Sequence, residues 1–161
     1  MMQALKKIDH SAIKTSQATL IVINILAFLF NSPLVTVVST VFMLVGFLLG
    51  TPAFVFVYRW LLKPLGWVKP EVLLDNSEPH RFAQGLGTVF LALGALTMFT
   101  GYSSLGWILV WMVTVLAAIN LFAGFCVGCM IYYWLARLHI PGFTKTPPQG
   151  VFPGTRPKNE G

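Results

Sequence analysis

The chain has 161 residues, of which 56% are hydrophobic and only 10% are charged. A soluble domain carries about 25% charged residues, and an ion at the middle of a bilayer costs about 2.5 kcal/mol or more. The composition therefore indicates an integral membrane protein. The net charge of +6 does not indicate nucleic-acid binding, because the basic residues are too sparse to form a patch.

The first two of four predicted membrane helices form a hairpin. Helix one runs from about 17 to 30, with a start as early as Ala12, and the turn Asn31-Ser-Pro33 leads to helix two at about 34–49. Helix one has no small-x-small cleavage site after it, so we expect it to be retained.

The segment after helix two combines aromatic residues with spaced cations. Thr51 and Pro52 have the form of a helix start, and residues 53–65 carry Arg59 and Lys63 four apart among Phe, Tyr and Trp. This pattern favours an amphipathic helix in the headgroup region. The alternative is a cytoplasmic extension of helix two.

Helices three and four are predicted at about 82–100 and 105–138, joined by the turn Gly101-Tyr-Ser-Ser104. Helix four exceeds the roughly 20 residues that a bilayer needs, so its last turns would extend beyond the hydrocarbon. A break at Gly128 would place Cys129 at a helix start. We expect a continuous helix instead, because no proline follows Cys129.

The cations indicate how the chain is oriented. All 11 basic residues fall outside the two short turns, before helix one, between helices two and three, or after helix four. The positive-inside rule then predicts a multi-pass membrane protein with both termini and the central loop in the cytoplasm. Residues 1–140 would form one domain. The Pro- and Gly-rich tail, 141–161, is expected to be disordered unless a partner binds it.

The two halves of the chain resemble each other, at about 10–66 and 78–142. Each has a basic-x-x-Gln start, a Gly-x-x-x-Gly motif and a later Tyr-x-Trp-Leu element. The predicted fold is therefore all-α, with four transmembrane helices arranged as two tandem hairpins. Small residues allow close helix packing, so helices two and four are expected to meet through the glycines of the two motifs, namely Gly46, Gly50, Gly124 and Gly128. This alignment sets Cys126 opposite Leu48.

Cys126 and Cys129 are the only cysteines, and their spacing puts both thiols on one helix face near the cytoplasmic boundary. They are the candidate catalytic pair, with His80 and Arg81 as candidate electrostatic partners. A structural disulfide is not expected, since cytosolic thiols are normally reduced. The alternative is that both cysteines are inert and pack as small hydrophobic residues.

No cofactor is predicted. Two cysteines supply only half of a tetrahedral zinc site, whereas two thiolates alone suit Cu(I). Cu(I) or Zn bound by Cys126 and Cys129 is therefore the alternative, and His10, His80 and His139 are expected on the same side of the membrane.

Three elements together resemble a bacterial membrane family known as domain-of-unknown-function family 4395. They are the basic-x-x-Gln start of helix one, Arg81-Phe-Ala-Gln-Gly85, and Gly124-Phe-Cys-Val-Gly-Cys129. The resemblance covers about 9–137 and implies a four-helix inner-membrane protein without an established activity. Its association with thioredoxin-like and sulfurtransferase neighbours favours a role for the thiols.

Two functions are compatible with these observations. The first is a cytoplasm-facing thiol-redox or sulfur-relay component that uses the Cys-x-x-Cys pair and docks a thioredoxin-like or sulfur-transfer partner. The second is a non-enzymatic accessory subunit of a larger membrane complex. The sequence leaves open whether the protein is an enzyme.

Overall fold

A computed structural model describes residues 6–67, 69–148 and 150–156. Lys158, one of the cations used above, and the end of the tail lie outside the described residues. The described residues form, in chain order, β1 (Lys6–Asp9), α1 (His10–Leu29), α2 (Pro33–Leu49), α3 (Val55–Val57), β2 (Val72–Asp75), α4 (Ser77–Phe99), α5 (Ser103–Ala123) and α6 (Val127–Arg137). The short α3 continues into one π-helical turn, Tyr58–Leu62.

The long helices form two hairpins, as the sequence predicts. The first turn has Asn31 in the left-handed region, followed by Pro33 at the first position of α2. The second turn uses Gly101, also at positive φ. Both turns lie at the same end of the bundle, so the starts of α1 and α4 lie together with the ends of α2 and α5 at the other end.

Three of these helices, α1, α4 and α5, are long and apolar enough to cross a membrane. The fourth, α2, is apolar but has 17 residues, about 26 Å of helix, against a hydrocarbon thickness of about 30 Å. The chain is thus a multi-pass membrane protein in which three spans follow from helix length alone.

Apolar side chains face outward while polar groups pair inside the bundle. Phe30 and Phe122 are 75% and 85% exposed. Inside, the buried Asn24 donates from Nδ2 to Thr114 Oγ1 at 3.1 Å, and Ser39 Oγ donates to Asn24 Oδ1 at 3.3 Å. An environment of lipid accounts for both observations, because buried polar groups there must find partners within the protein.

The glycines of the two Gly-x-x-x-Gly motifs contact α4 or end helices. A Cβ on Gly46 would meet Gln84, and one on Gly128 would meet Ala83, both residues of α4. Gly50 and Gly124 instead adopt φ values of +67° and +66° as the C-caps of α2 and α5. Helix α2 packs chiefly on α4, and α5 on α4 and α1, so these glycines do not form the predicted seam between helices two and four.

The prediction that helix four is continuous to 138 is wrong. Helix α5 ends at Ala123, Gly124 turns the chain, and α6 begins at Val127 with Cys126 as its N-cap. The break comes four residues before the alternative predicted at Gly128. Glycine permits the left-handed turn at little cost, so no proline is needed.

The segment after α2 is helical over a shorter range than the predicted 53–65. It is α-helical at Val55–Val57 and π-helical at Tyr58–Leu62. Phe54 and Tyr58 are buried against the bundle, whereas Trp60 is 81% exposed. The segment is therefore amphipathic, as predicted.

The two-stranded sheet is an addition to the predicted all-α fold. Strands β1 and β2 pair antiparallel, with Lys6 opposite Asp75 and Asp9 opposite Val72. Asp9 also caps α1 by accepting a hydrogen bond from Ser11 N at 3.0 Å. The pairing of segments more than 60 residues apart brings Asp75 to the start of α1.

Candidate dithiol site

The two cysteines form a disulfide at the start of α6. Their Cα atoms lie 5.2 Å apart, and both side chains are buried. Cys126 is the N-cap, and its Sγ accepts a hydrogen bond from Cys129 N at 3.2 Å. Backbone N–H groups and the helix dipole favour negative charge at this position, which is why a Cys-x-x-Cys pair at a helix start is a reactive arrangement. The disulfide differs from the reduced pair that the sequence predicts.

His80, in the first turn of α4, links the pair to a carboxylate. Its Nδ1 lies 3.5 Å from Cys129 Sγ, and its Nε2 lies 2.9 Å from Asp75 Oδ2. With its two ring nitrogens so placed, His80 can pass a proton to or from Cys129 while Asp75 orients the ring and balances its charge.

A second histidine contacts the same carboxylate. His10 Nε2 lies 3.3 Å from Asp75 Oδ2, but it lacks the alignment of a hydrogen bond, so this is the weaker contact. The rings of His10 and His80 meet edge to face, with their centroids 5.6 Å apart. His10 is 1% exposed and Asp75 is 5% exposed, so these two groups are buried, and the half-buried His80 lies between them and Cys129.

The charge of Asp75 is stabilised inside this cluster. Burial by itself raises the pKa of the carboxyl, but the two histidines and the N–H of Asn76 outweigh that effect and hold the pKa below its ordinary value of 3.8. The N–H of Asn76 donates to Asp75 Oδ1 at 2.7 Å. Asp75 is therefore ionised at neutral pH.

The other predicted partner, Arg81, lies elsewhere. Its Nε donates to Phe47 O at 2.8 Å and its Nη2 to Leu48 O at 3.3 Å. The guanidinium also lies over the Phe47 ring. Arg81 thus binds the last carbonyls of α2, where a cation is favoured by the helix dipole, and the structure does not bring it to the thiols.

The described part of the C-terminal tail, as far as residue 156, lies against the site; the sequence predicts a tail that is disordered unless a partner binds it. Cys126 N donates to Gly154 O at 2.7 Å, and Arg156 N donates to Gly124 O at 3.0 Å. Phe143 packs edge to face on Phe82 and Tyr132. Residues 154–156 therefore run beside 124–126 as a short antiparallel bridge.

Sequence reasoning missed His10 as a site residue, and it missed Asp75 and the tail. The sequence offers one local signal for Asp75: it lies just before the start of α4 and five residues before His80, close enough for the two side chains to meet. The pairing of β1 with β2 and the return of the tail are long-range contacts, for which the local pattern offers no signal.

Among the residues that the structure describes, two sets of side chains could hold a metal ion. In one, the ligand atoms of His80, Cys126 and Cys129 lie within 4.8 Å of one another, and in the other those of His10, Asp75 and His80 do. The first set needs the reduced cysteines, because only thiolates ligate a metal.

Comparison with known proteins places the chain in a family but attaches no activity to it. No curated protein and no solved structure matches the chain. A family model described as a domain of unknown function (DUF4395) matches residues 8–137, a range that includes both cysteines, both histidines and Asp75. The chain therefore belongs to the DUF4395 family.

Proposed function

We propose that this protein is a membrane thiol–disulfide redox component whose Cys126–Cys129 pair cycles between disulfide and dithiol. One observation carries the proposal: the pair lies at the N-terminus of α6 with His80 beside Cys129 and Asp75 beside His80. Inert packing of two cysteines requires neither a helix N-cap nor a histidine–carboxylate pair.

The geometry favours different roles for the two sulfurs. A partner thiolate attacks Cys126, forming a mixed disulfide and releasing Cys129 as a thiolate, which takes a proton through His80. A second partner thiolate then attacks the partner sulfur and releases Cys126. The net reaction forms one disulfide in the partner, breaks the Cys126–Cys129 bond and transfers two electrons and two protons. A sulfur relay would use the same two thiols, with a persulfide in place of the mixed disulfide.

The proposal includes the membrane setting. All four long apolar helices would span, with α2 reaching across by slight thinning of the bilayer or by its flanking residues. The basic residues of the described part of the chain lie at the end of the bundle that carries the site. The positive-inside rule then favours this end in the cytoplasm of a bacterial inner membrane.

Redox titration with thiol trapping tests the function. Protein in detergent is equilibrated with reduced and oxidised dithiothreitol, quenched with acid and labelled with a maleimide polymer. We expect a single two-electron transition in the wild type and none in Cys126→Ser or Cys129→Ser. His80→Gln should slow exchange about tenfold or more, while the exposed His139→Gln serves as the matched control.

Two outcomes would contradict this proposal. In the first, the cysteines of the folded protein stay unlabelled by maleimide even under strong reductant. In the second, replacing both cysteines leaves the rate of thiol–disulfide exchange unchanged. Either outcome would mean that the pair is inert. Recovery of the protein as a fixed-stoichiometry part of a larger complex, together with inert cysteines, would favour the accessory-subunit alternative.

A metal site is the second candidate, favoured by one observation. His80 Nδ1 completes a three-ligand set with the two sulfurs, and Asp75 on its Nε2 is the kind of outer partner that orients metal-bound histidines. The reduced protein would then bind one Zn²⁺ or Cu(I) per chain and release it on oxidation. Metal analysis of the reduced wild type and His80→Gln checks this, and equal metal content in the two proteins would contradict it.

A further inference from the structure

A cavity of about 600 Å³ opens at the end of the bundle that carries the cysteine pair. Small-molecule sites commonly have about 300–1,000 Å³. Exposed cations line its opening, including Lys7, Arg59 and Lys63, whereas Leu20, Met43 and Val113 line its apolar part. Leu20 lies ten residues beyond His10 in α1, about 15 Å along the helix, so the cavity extends well into the apolar bundle.

The cavity contacts the redox pair. Cys126 and His80 form part of its wall, whereas Cys129 does not. The tail lies on the other side of Cys126, through the contact with Gly154. A molecule inside the cavity can therefore reach Cys126 without displacing the tail.

Two glutamines line the cavity. Gln17 is one of them, and its Oε1 is enclosed by protein atoms, where it accepts no hydrogen bond within the described residues. That oxygen does not face the cavity, so the choice of ligand depends on the apolar lining and on Cys126. The other cavity amide, Gln84, already donates to Met43 O at 2.9 Å.

We propose that this cavity binds a lipid-soluble quinone that exchanges two electrons with the Cys126–Cys129 pair, an inference that rests on the thiol–disulfide function proposed above. An apolar cavity within a membrane selects an apolar molecule. Because the wall includes a cysteine of the redox pair, the molecule should also accept two electrons and two protons. A quinone meets both requirements.

The reaction balances with no further reactant. Two S–H bonds of the dithiol break and one S–S bond forms. The two electrons enter the quinone ring and the two protons end on its oxygens, giving a quinol. His80 takes the proton of Cys129 in this step, and the Asp75 carboxylate stabilises the resulting imidazolium.

An anaerobic single-turnover experiment tests the proposal. Protein in nanodiscs of neutral phosphatidylcholine is reduced with a phosphine, freed of reductant and mixed with a decyl-substituted benzoquinone. We expect one quinone to be reduced per chain, in step with disulfide formation, and no reduction by Cys126→Ser.

A second pair of variants tests the cavity itself. Ala117→Phe narrows it from α5, whereas Ala118→Phe adds the same ring at the next residue, which is not on the cavity wall. Only Ala117→Phe should slow quinone reduction. Equal rates in both variants would overturn the proposal, because the quinone would then react elsewhere.

The failures of the two proposals are distinguishable. A pair that exchanges with dithiothreitol but reduces no quinone overturns the quinone site and leaves the thiol function standing. A pair that reacts with neither overturns both. Tight binding of an acidic phospholipid at the basic opening, without quinone reduction, also overturns the quinone site.

Discussion

Asp75 is the residue on which the chemistry of the site depends most. It is buried between His10 and His80 and stays ionised because their contacts outweigh the effect of burial. Its carboxylate holds His80 Nε2 at 2.9 Å, so that His80 Nδ1 lies 3.5 Å from Cys129 Sγ and can exchange a proton with it. The cysteines supply the electrons of the proposed reaction, while Asp75 determines how readily the proton moves.

Replacing Asp75 with asparagine should slow thiol–disulfide exchange about tenfold or more, because His80 loses the carboxylate that orients its ring toward Cys129. Stopped-flow measurement of dithiol oxidation checks this. Glu71→Gln is the matched control, since Glu71 pairs with Lys14 at a half-exposed position away from the thiols. Equal slowing in both variants would indicate a general loss of structure.

The same carboxylate predicts an acid dependence of stability. Its pKa in the folded protein lies below the ordinary 3.8, so its contribution is complete well above pH 3.8 and is lost progressively as the pH falls from there through the lower pKa of the folded state. The thermal midpoint of the detergent-solubilised wild type should therefore fall below about pH 4 more steeply than that of Asp75→Asn. Parallel pH profiles would contradict the assigned ionisation.

At the scale of elements, the site depends on the break between α5 and α6 and on the tail that lies against it. Gly154 has φ +88°, and a Cβ there would come within 2.9 Å of Cys126 O and of Met130 Cβ. Gly150 has φ +75° but open space around it. Only Gly154 therefore combines the left-handed conformation with close packing on α6.

Gly154→Val should displace the tail and raise the rate of maleimide labelling of the reduced cysteines several-fold, because it forces the backbone away from Cys126. Gly150→Val carries the same conformational cost without the collision, so labelling should stay near the wild-type rate. Time-resolved labelling monitored by mass spectrometry checks both. Equal rates in all three proteins would mean that the tail does not limit access.

Gly128 positions α6 against α4. A Cβ there would come within 2.8 Å of the Ala83 Cα, a backbone atom, whereas a Cβ on Gly87 would meet only the terminal methyl of Met43. Gly128→Ala should lower the thermal midpoint, while Gly87→Ala should leave it unchanged or raise it, since alanine favours a helix over glycine by about 1 kcal/mol. The two melting curves in one detergent check this. A lower midpoint in Gly87→Ala alone would contradict it.

Local sequence signals predicted some of these elements and misplaced others. Apolar length and the turns at Asn31 and Gly101 were sufficient to predict the hairpins. The break was missed because a glycine in an apolar run is compatible with a helix until its φ is known. Gly50 and Gly124 are both C-caps, and each lies eight residues before a tyrosine, Tyr58 or Tyr132. An alignment of the two halves on these glycines would set Cys126 opposite Pro52 rather than Leu48. The duplication itself stays a prediction.

At the scale of the whole molecule, composition predicted the membrane environment and the pairing of distant segments determined the site. Charge scarcity and long apolar runs are local properties, so they can be read from the chain. The cluster of His10, Asp75 and His80 requires β1 to pair with β2, and those strands have only four residues each. Over four residues, an alternation of polar and apolar side chains is too short to distinguish a strand from a loop.

The orientation is testable with single cysteines in a background that lacks both native ones. Arg59→Cys, at the end of the bundle that carries the site, should be labelled from the cytoplasmic face, and Tyr102→Cys, in the exposed turn, from the opposite face. Impermeant maleimide applied to right-side-out and inverted vesicles distinguishes the two. Labelling of both residues from one face would contradict the predicted topology.

The cover that the tail provides also affects how the pair reaches redox equilibrium. Cys126 and Cys129 are 6% and 3% exposed, and the cavity beside them extends into the apolar bundle. Water-soluble reductants reach the pair from the basic opening of the cavity, whereas lipid-soluble ones concentrate in its apolar part. The equilibrium potential of the pair is unaffected. The rate at which the pair reaches equilibrium, however, follows the oil–water partition coefficient of the reductant rather than its concentration in water. A series of reductants of equal potential and rising lipophilicity should therefore reduce the pair in order of lipophilicity.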